Sequence, residues 1–247
     1  MEVRQHFWGI DIGSRFTKVV KINHKYEILE KFLTESIGVI TEFPEFCKRF
    51  SINPENSVFT GYGRELAKNS GFKIINEVKA VEIAVKSVLD VEGFIDIGGQ
   101  DIKVVCFKTR EINLNTSCAA GTGSFIENIL RRLNTGWDDF FKIEDHETDV
   151  ALNSVCAVFA ESEAITLLVK GVEKSKIMKA AAVSVAKKVI TLIPQGCKRF
   201  AFLGRLAASK AIKSYIEKSR GVTLVTPPNY EYFASLGAAI KASNLFG

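Results

Sequence analysis

The start of the chain alternates short apolar runs with turn residues. Phe7–Ile12 and Phe16–Ile22 are rich in β-branched and aromatic residues and are separated by a turn containing Gly13 and Ser14. This pattern predicts a strand, a tight turn and a second strand. Lys25–Glu35 continues the apolar pattern and predicts a third strand.

Further strands and helices follow along the chain. Apolar residues near helical spacing from Asn76 to about Asp90 predict a helix with Asn76 as its N-cap. The stretch Ile177–Ile193 predicts a core helix that ends before Pro194. The remaining predictions are strands over Ser57–Thr60 and Phe72–Ile75, a short helix ending at Phe50, a helix after Arg64, and a small-faced helix over Tyr232–Ala242.

Two stretches of the chain repeat each other at a constant offset of 85 residues. Seven of eleven aligned positions are identical between Ile10–Val20 and Ile95–Val105, including an aspartate, a glycine and a lysine. An internal repeat on this scale implies two similar lobes, each opening with a hairpin whose turn carries an acid and a glycine. We therefore expect a first lobe over 1–92, a second lobe over 93–228, and a terminal helix over about 229–247 that packs back against the first lobe.

The repeated turns have the chemistry of a phosphate site. Gly13, Gly98 and Gly99 leave main-chain N–H groups accessible to phosphate oxygens because no Cβ blocks them. Aspartate would repel a bare phosphate, so the acids at these turns favour a Mg²⁺ ion held largely through water. The acids are Asp11, Asp96 and Asp101, and the additional donors are Ser14, Thr17, Gln100 and Lys18. The alternative is an ordinary pair of hairpins in which the aspartate caps the turn.

Composition and charge narrow the class of protein. The chain has 247 residues, of which 47% are hydrophobic, so it can bury a large core and is not of the disordered class. The net charge of +5 is spread along the chain without a basic stripe, which argues against a nucleic-acid partner. No apolar run approaches the ~20 residues of a membrane helix, and the N-terminus lacks the apolar region of a signal peptide. We therefore expect a cytoplasmic protein without a membrane partner.

The double hairpin resembles the phosphate motifs of the actin, Hsp70 and sugar-kinase ATPase superfamily. The resemblance implies an α/β fold of two RNase H-like lobes with a nucleotide cleft between them. In that superfamily a third glycine element holds the adenosine, and Phe202–Ala207, which contains Gly204, is similar to it. That element usually has two adjacent glycines, whereas the second position here is Arg205, whose guanidinium could stack on adenine instead.

A closer resemblance is carried by four motifs that lie in the same order as in the 2-hydroxyacyl-CoA dehydratase activators of the BadF/BadG/BcrA/BcrD ATPase group. The motifs are Thr60–Arg64, Gly98–Asp101, Cys118–Gly123 and Cys156–Glu163. The resemblance implies a homodimer that holds one 4Fe-4S cluster between its subunits. It also implies that ATP hydrolysis, ending in ADP, drives an electron onto an iron-sulfur dehydratase or a benzoyl-CoA reductase component. A ferredoxin or flavodoxin would supply that electron.

The cysteines can be considered without the family. The five cysteines are Cys47, Cys106, Cys118, Cys156 and Cys197, an odd number without close spacing, which argues against a disulfide framework. Cys118 and Cys156 precede glycines or a predicted helix, at about Ser124 and Phe159, whereas the other three have apolar surroundings typical of buried packing. Two thiols per chain become four on a two-fold axis, which is the number that a cubane cluster needs. The alternatives are two small apolar residues near loops, or a zinc site, which the wide spacing makes poor within one chain.

These motifs assign roles to individual residues. Asp11 and Asp101, or Gln100, are candidates for holding the metal ion and placing the attacking water. The nucleotide-binding candidates are Gly13, Ser14, Arg15, Thr17, Lys18, Gly98, Gly99, Lys103, Gly121, Thr122, Gly123, Gly204 and Arg205. Two other functions stay open: a small-molecule kinase of the same superfamily, which has no use for paired thiols, and a nucleotide-dependent binding module in which the thiols are incidental.

Overall fold

The structure is a computed structural model that describes residues 6–115, 121–152 and 156–247. It forms two compact units. Unit 1 contains the chain up to Asp90 together with Tyr232–Gly247, and unit 2 is Val91–Glu231. None of the helices in these described ranges is long and apolar enough to cross a membrane.

The secondary structure of the described residues alternates strands and helices. The strands are β1 (Phe7–Ile12), β2 (Phe16–Ile22), β3 (Ile28–Glu35), β4 (Ser57–Gly61), β5 (Lys73–Ile74), β6 (Gly93–Ile97), β7 (Ile102–Cys106), β8 (Glu111–Asn115), β9 (Arg199–Leu203) and β10 (Thr223–Val225). The helices are α1 (Ser36–Thr41), α2 (Phe43–Arg49), α3 (Arg64–Asn69), α4 (Glu77–Val88), α5 (Gly123–Arg132), α6 (Trp137–Phe141), α7 (Ala157–Val169), α8 (Lys174–Ile190), α9 (Lys210–Arg220) and α10 (Phe233–Phe246), with a 3-10 turn at Arg205–Ala208.

Each unit is built on a five-stranded sheet, and the two sheets have the same order. Unit 1 is ordered β3-β2-β1-β4-β5 and unit 2 β8-β7-β6-β9-β10. In both, the first three strands of the unit pair antiparallel and the last two add in parallel. The sequence repeat therefore marks two copies of one whole sheet, and the predicted α/β class with two RNase H-like units is confirmed.

Local signals account for the helices that the sequence predicts well. The Asn76 side chain accepts hydrogen bonds from the N–H groups of Val78 (3.0 Å) and Lys79 (3.4 Å), which confirms the predicted N-cap of α4. Helix α8 buries one face, including Ile177, and ends within a turn of Pro194, as expected.

Several elements were not predicted from the pattern. No pattern in the sequence predicted α1, β8, α6, β9, α9 or β10, whereas the short helix predicted to end at Phe50 corresponds to α2. Strand β8 lies at the edge of its sheet and exposes most of its residues, so it lacks the alternation of a half-buried strand. Helix α9 does carry a local signal, because Ser209 caps its start and Gly221 ends it in the left-handed region at φ 58°.

Helix α10 packs closely within unit 1, where glycines remove side chains from the contact. A Cβ on Gly9 of β1 would overlap the main-chain oxygen of Ser235, and a Cβ on Gly237 would overlap that of Ala80 in α4. The last helix of the chain therefore rests on main-chain atoms of the first strand and of α4.

The structure corrects the expectation for two cysteines. Cys106 of β7 and Cys197, just before β9, form a disulfide bond, although the sequence analysis treated both as packing residues. They are 91 residues apart in sequence, and both are buried, at 0% and 2% exposure. The absence of close spacing argues only against a local framework, because a single long-range bond depends on which strands the fold makes neighbours.

Candidate functional site

In unit 1, two buried polar residues and a partly exposed lysine lie side by side near the end of the central strand. Asp11 of β1 stands in register with Lys18 of β2 on one side and with Thr60 of β4 on the other. The side chain of Asp11 is 5% exposed, and Lys18 Nζ lies 3.7 Å from its Oδ2. The hairpin is closed by the N–H of Gly13, which donates to the carbonyl of Phe16 at 3.2 Å. A carboxylate and an ammonium group are thus held at the predicted turn.

The turn of unit 2 has the same register, and a carboxylate within the turn also reaches its lysine. Asp96 of β6 stands opposite Lys103 of β7, as Asp11 stands opposite Lys18. Lys103 Nζ donates to Asp101 Oδ1 at 2.7 Å, and its side chain is only 6% exposed. The N–H of Gly98 donates to the carbonyl of Asp101 at 2.9 Å and closes the turn.

The start of α5 lies directly against this second turn. The N–H groups of Gly123 and Ser124 donate to the carbonyls of Gly98 (3.0 Å) and Gly99 (2.9 Å). Thr122, at the N-cap position of α5, is fully buried. These two hydrogen bonds, each between residues 25 positions apart in sequence, bring the candidates from both motifs together.

Gly121 precedes this helix start in a conformation that suits glycine. Its φ is +85°, and a Cβ there would lie 2.9 Å from the Lys188 side chain of α8. Both the backbone and the space therefore favour glycine at this position.

The third predicted element also reaches the second turn. Gly204 follows β9 with φ +81°, and its N–H donates to the carbonyl of Tyr230 at 3.1 Å. A Cβ on Gly204 would overlap the carbonyl oxygen of Ile97 and lie 3.0 Å from Asp96 Oδ1. Arg205, for which stacking on adenine was considered, has its guanidinium carbon 5.2 Å from the Trp137 ring centroid.

Sequence reasoning missed the equivalent glycine of unit 1. Gly61 is the last residue of β4 and has φ +86°, and a Cβ there would overlap Asp11 Oδ1 and lie 2.6 Å from the carbonyl oxygen of Ile12. Gly61 thus packs against Asp11 in the same way as Gly204 packs against Asp96. Thr60 was missed as well: it is fully buried, and its hydroxyl has no hydrogen-bond partner among the described residues. The motif Thr60–Arg64 contains both Thr60 and Gly61, but it was interpreted only as a resemblance to the dehydratase activators and not as part of the site.

The two candidate metal-ligand cysteines differ in what the structure describes. Cys118 lies outside the described residues. Cys156 is half-buried at the N-cap position of α7. Helix α7 is joined to α5 by Glu161, which accepts hydrogen bonds from Asn128 (2.9 Å) and Arg132 (3.4 Å).

The other described thiols are poor metal ligands. Cys106 and Cys197 are bonded to each other. Burial raises the pKa of the Cys47 thiol to about 11, so it stays protonated at neutral pH. Cys156 is therefore the described thiol best placed for a metal, although no group of three or more potential ligand side chains forms within the described ranges.

Comparison with known proteins gives one consistent result. The sequence model of the BadF/BadG/BcrA/BcrD ATPase family matches residues 8–242. The (R)-2-hydroxyglutaryl-CoA dehydratase activating ATPase of Acidaminococcus fermentans is 32% identical, over 95% of this chain and 95% of that protein.

Two crystal structures of such activators superimpose on nearly the whole chain. The dehydratase component A of Acidaminococcus fermentans has a TM-score of 0.84 at 30% identity, covering 98% of both chains. The activator of the 2-hydroxyisocaproyl-CoA dehydratase from Clostridium difficile, solved with bound ADPNP, has a TM-score of 0.83 at 26% identity and covers 98% of this chain and 95% of its own.

Proposed function

Because the chain belongs to the BadF/BadG/BcrA/BcrD ATPase family, we propose that it is an ATP-dependent activator that delivers an electron to a 2-hydroxyacyl-CoA dehydratase or a related reductase. The observation that carries the proposal is the near full-length similarity to a dehydratase activating ATPase. A small-molecule kinase is less favoured, because the similar proteins reported above are activators.

In this proposal the repeated turns bind the nucleotide phosphates and their Mg²⁺ ion. The support is the buried carboxylate of Asp11 beside Lys18, together with the Gly98–Gly99 turn that meets the start of α5. The lysine beside the first turn favours phosphate oxygens, and the carboxylates favour the divalent ion. Asp11 would hold the ion when it is bound, and Gln100 or Asp101 would place the attacking water.

We assign Cys118 and Cys156 of each of two chains as ligands of a shared 4Fe-4S cluster. The donor chemistry of the described part fits: Cys156 is a half-buried thiol at the start of a 13-residue helix, whose dipole favours negative charge there. The cluster would supply a one-electron carrier when bound. Cys156 would bind iron, while α5 and α7 keep that thiol in place through Asn128, Arg132 and Glu161.

The surface of α7 supports the homodimer. Val158, Ile165 and Val169 recur at helical spacing and are 69%, 37% and 83% exposed, and Phe159 beside them is 63% exposed. Apolar side chains of this size next to a candidate ligand would be covered by a second copy of the same helix across a two-fold axis.

Anaerobic purification tests the cluster. We expect a brown dimer with broad absorbance near ~400 nm and about four irons per dimer. Cys156→Ala should lose the colour and the iron, whereas Cys47→Ala, which removes a buried thiol in unit 1, should keep both. A protein that stays iron-free after anaerobic reconstitution, or a Cys156→Ala variant that keeps its iron, would contradict the assignment.

A second experiment tests the ATPase. Asp11→Asn should lower Mg-ATP hydrolysis by at least about a hundredfold, because it removes the carboxylate assigned to the ion. Asp149→Asn, a change of the same kind at an exposed loop residue, should hydrolyse ATP like the unaltered protein. Equal rates in the two variants would refute the assignment of Asp11.

A further inference from the structure

Arg205 is held by two other residues of unit 2. Its guanidinium carbon lies 5.2 Å from the centroid of the Trp137 ring, within the range of a cation–π contact. Its Nε donates to Glu231 Oε1 at 3.3 Å. The side chain nevertheless keeps 42% of its surface exposed. The side chain is therefore held by its neighbours while part of its surface stays accessible to a ligand.

Trp137 is itself fixed by neighbouring rings. It stacks on Phe141 with centroids 5.6 Å apart and planes inclined by 23°, and it meets Phe140 edge-on at 6.1 Å. Phe140 is 1% exposed and belongs to the core of unit 2. The packing of Trp137 on these rings thus fixes the orientation of the Arg205 guanidinium relative to the core of unit 2.

The position of this stack relates it to the phosphate turn of the same unit. Arg205 directly follows Gly204, where a Cβ would overlap the carbonyl oxygen of Ile97 and lie 3.0 Å from Asp96 Oδ1 at the end of β6. Glu231 follows Tyr230, whose carbonyl accepts the N–H of Gly204. Arg205 and Glu231 therefore each stand one residue after a hydrogen-bonded pair, Gly204 and Tyr230, and Gly204 of that pair lies beside the acidic end of β6.

We propose that Arg205 is the platform on which the nucleotide base stacks, and that Trp137 and Glu231 are positioning residues that hold its guanidinium plane. The inference rests on the proposed ATP binding and names what recognises the base. An arginine plane stacks on the π face of a base, and an orientation fixed before binding reduces the entropy lost on binding. The base and the triphosphate then contribute separately to affinity, the base through this stack and the triphosphate through the turns.

The chain offers a spectroscopic test, because Trp8 and Trp137 are its two tryptophans. Trp8 lies in the core of unit 1, so Trp8→Phe leaves Trp137 as the reporter. Titrating this variant with Mg-ATP should change the tryptophan emission, and Mg-tripolyphosphate, which has no base, should leave it unaltered. The same emission change with both ligands, or with neither although ATP binds, would overturn the inference.

Substitutions at Trp137, Glu231 and Arg205 distinguish a role in positioning the guanidinium from an effect on folding. Trp137→Leu and Glu231→Gln should weaken ATP binding about three- to tenfold and leave the inhibition of ATP hydrolysis by tripolyphosphate unchanged. Trp137→Phe, which keeps a ring, should restore most of the ATP affinity, and Arg205→Ala should cost at least about fivefold. Unaltered ATP affinity in Arg205→Ala would refute the platform. If the unaltered protein bound neither ATP nor tripolyphosphate, the proposed function would fail as well, and that result differs from every result that refutes the platform alone.

Discussion

At the scale of single residues, the two copies of the hairpin differ at one position that bears on the surroundings of their lysines. Lys18 and Lys103 occupy equivalent positions, yet Lys18 lies 3.7 Å from Asp11 whereas Lys103 donates to Asp101 at 2.7 Å. The residue equivalent to Asp101 in the first copy is Phe16. The second turn therefore brings a nearer carboxylate to its lysine. The repeat predicts where the two lysines lie but not the contact of Lys103 with Asp101, which has no counterpart in the first copy.

Glu92 offers a residue whose effect on stability should depend on pH. Its carboxylate accepts hydrogen bonds from the Lys108 ammonium and from the N–H groups of Lys198 and Arg199. These bonds, that of Lys108 first, lower the pKa of Glu92 to about 2. A carboxyl with a lowered pKa stabilises the folded state above its ordinary pKa, and this stabilisation is lost as the pH falls through the folded value.

We therefore expect Glu92→Gln to lower the melting temperature at pH 7. The difference from the unaltered protein should shrink as the pH falls from about 4.5 towards 2. Thermal unfolding followed by circular dichroism between pH 3 and pH 7 measures both effects. Glu55→Gln, at an exposed position, is the control and should show no such trend. A difference that stays constant with pH would contradict the assignment.

At the scale of elements, the chain leaves β4 and β9 in the same way in the two units. Each leaves its strand through a glycine in the left-handed region, Gly61 in unit 1 and Gly204 in unit 2. Each glycine packs against the aspartate at the end of the central strand. Glycine is favoured at these two positions for two reasons: the left-handed backbone conformation and the lack of space for a side chain. Other glycines of the chain have the same conformation but open space, so the two effects can be measured separately.

Substitution by alanine should reveal these two parts. Gly71 has the same φ of +86° as Gly61, and Gly171 the same φ of +81° as Gly204, but a Cβ at Gly71 or Gly171 would meet nothing within 4 Å. We expect Gly71→Ala and Gly171→Ala to cost about 1 kcal/mol each through the backbone alone. Gly61→Ala and Gly204→Ala should cost at least about 2 kcal/mol more, because strand ends must move. Denaturant unfolding measures the four values, and equal costs within a pair would argue against the contact with the aspartate.

At the scale of the whole molecule, the chain leaves unit 1, builds unit 2 and returns. Helix α10 packs on β1, β2, β4 and α4, so the last residues complete the unit that the first residues began. Unit 2, in contrast, is one continuous segment. Folding of unit 1 therefore requires contacts between residues from opposite ends of the sequence.

Two helical glycines of unit 1 should respond to alanine with opposite signs. Gly38 in α1 is exposed and has open space around its Cβ position, so Gly38→Ala should stabilise by about 0.5–1 kcal/mol through helix propensity. Gly237→Ala should destabilise by about 2 kcal/mol or more, because its Cβ would overlap the main-chain oxygen of Ala80.

Hydrogen exchange measured by mass spectrometry locates the change. Gly237→Ala should speed exchange in β1, β4 and α4 while β6 and β7 keep the protection of the unaltered protein. Equal acceleration in both units would show that they unfold together, and no acceleration in unit 1 would show that α10 adapts to the added methyl group.

The sequence by itself determined the features that short stretches encode. The pattern predicts the two hairpins with their acid, glycine and lysine, the N-cap of α4 and the core helix α8. Each of these features depends on residues that are close together in the sequence. The two-lobed α/β class followed because the hairpin pattern occurs twice. In the candidate site, the same local signals predicted the Gly98–Asp101 turn and the glycine that precedes α5.

Only the tertiary structure decided which distant residues meet. The disulfide between Cys106 and Cys197, the packing of Gly61 against Asp11, and the contact of Arg205 with Trp137 each join residues about 50 or more positions apart. The edge strand β8 depends on its neighbour β7 rather than on a pattern of its own. The physical reason is that close packing and strand pairing act between surfaces that the fold brings together, and no local periodicity along the chain records them.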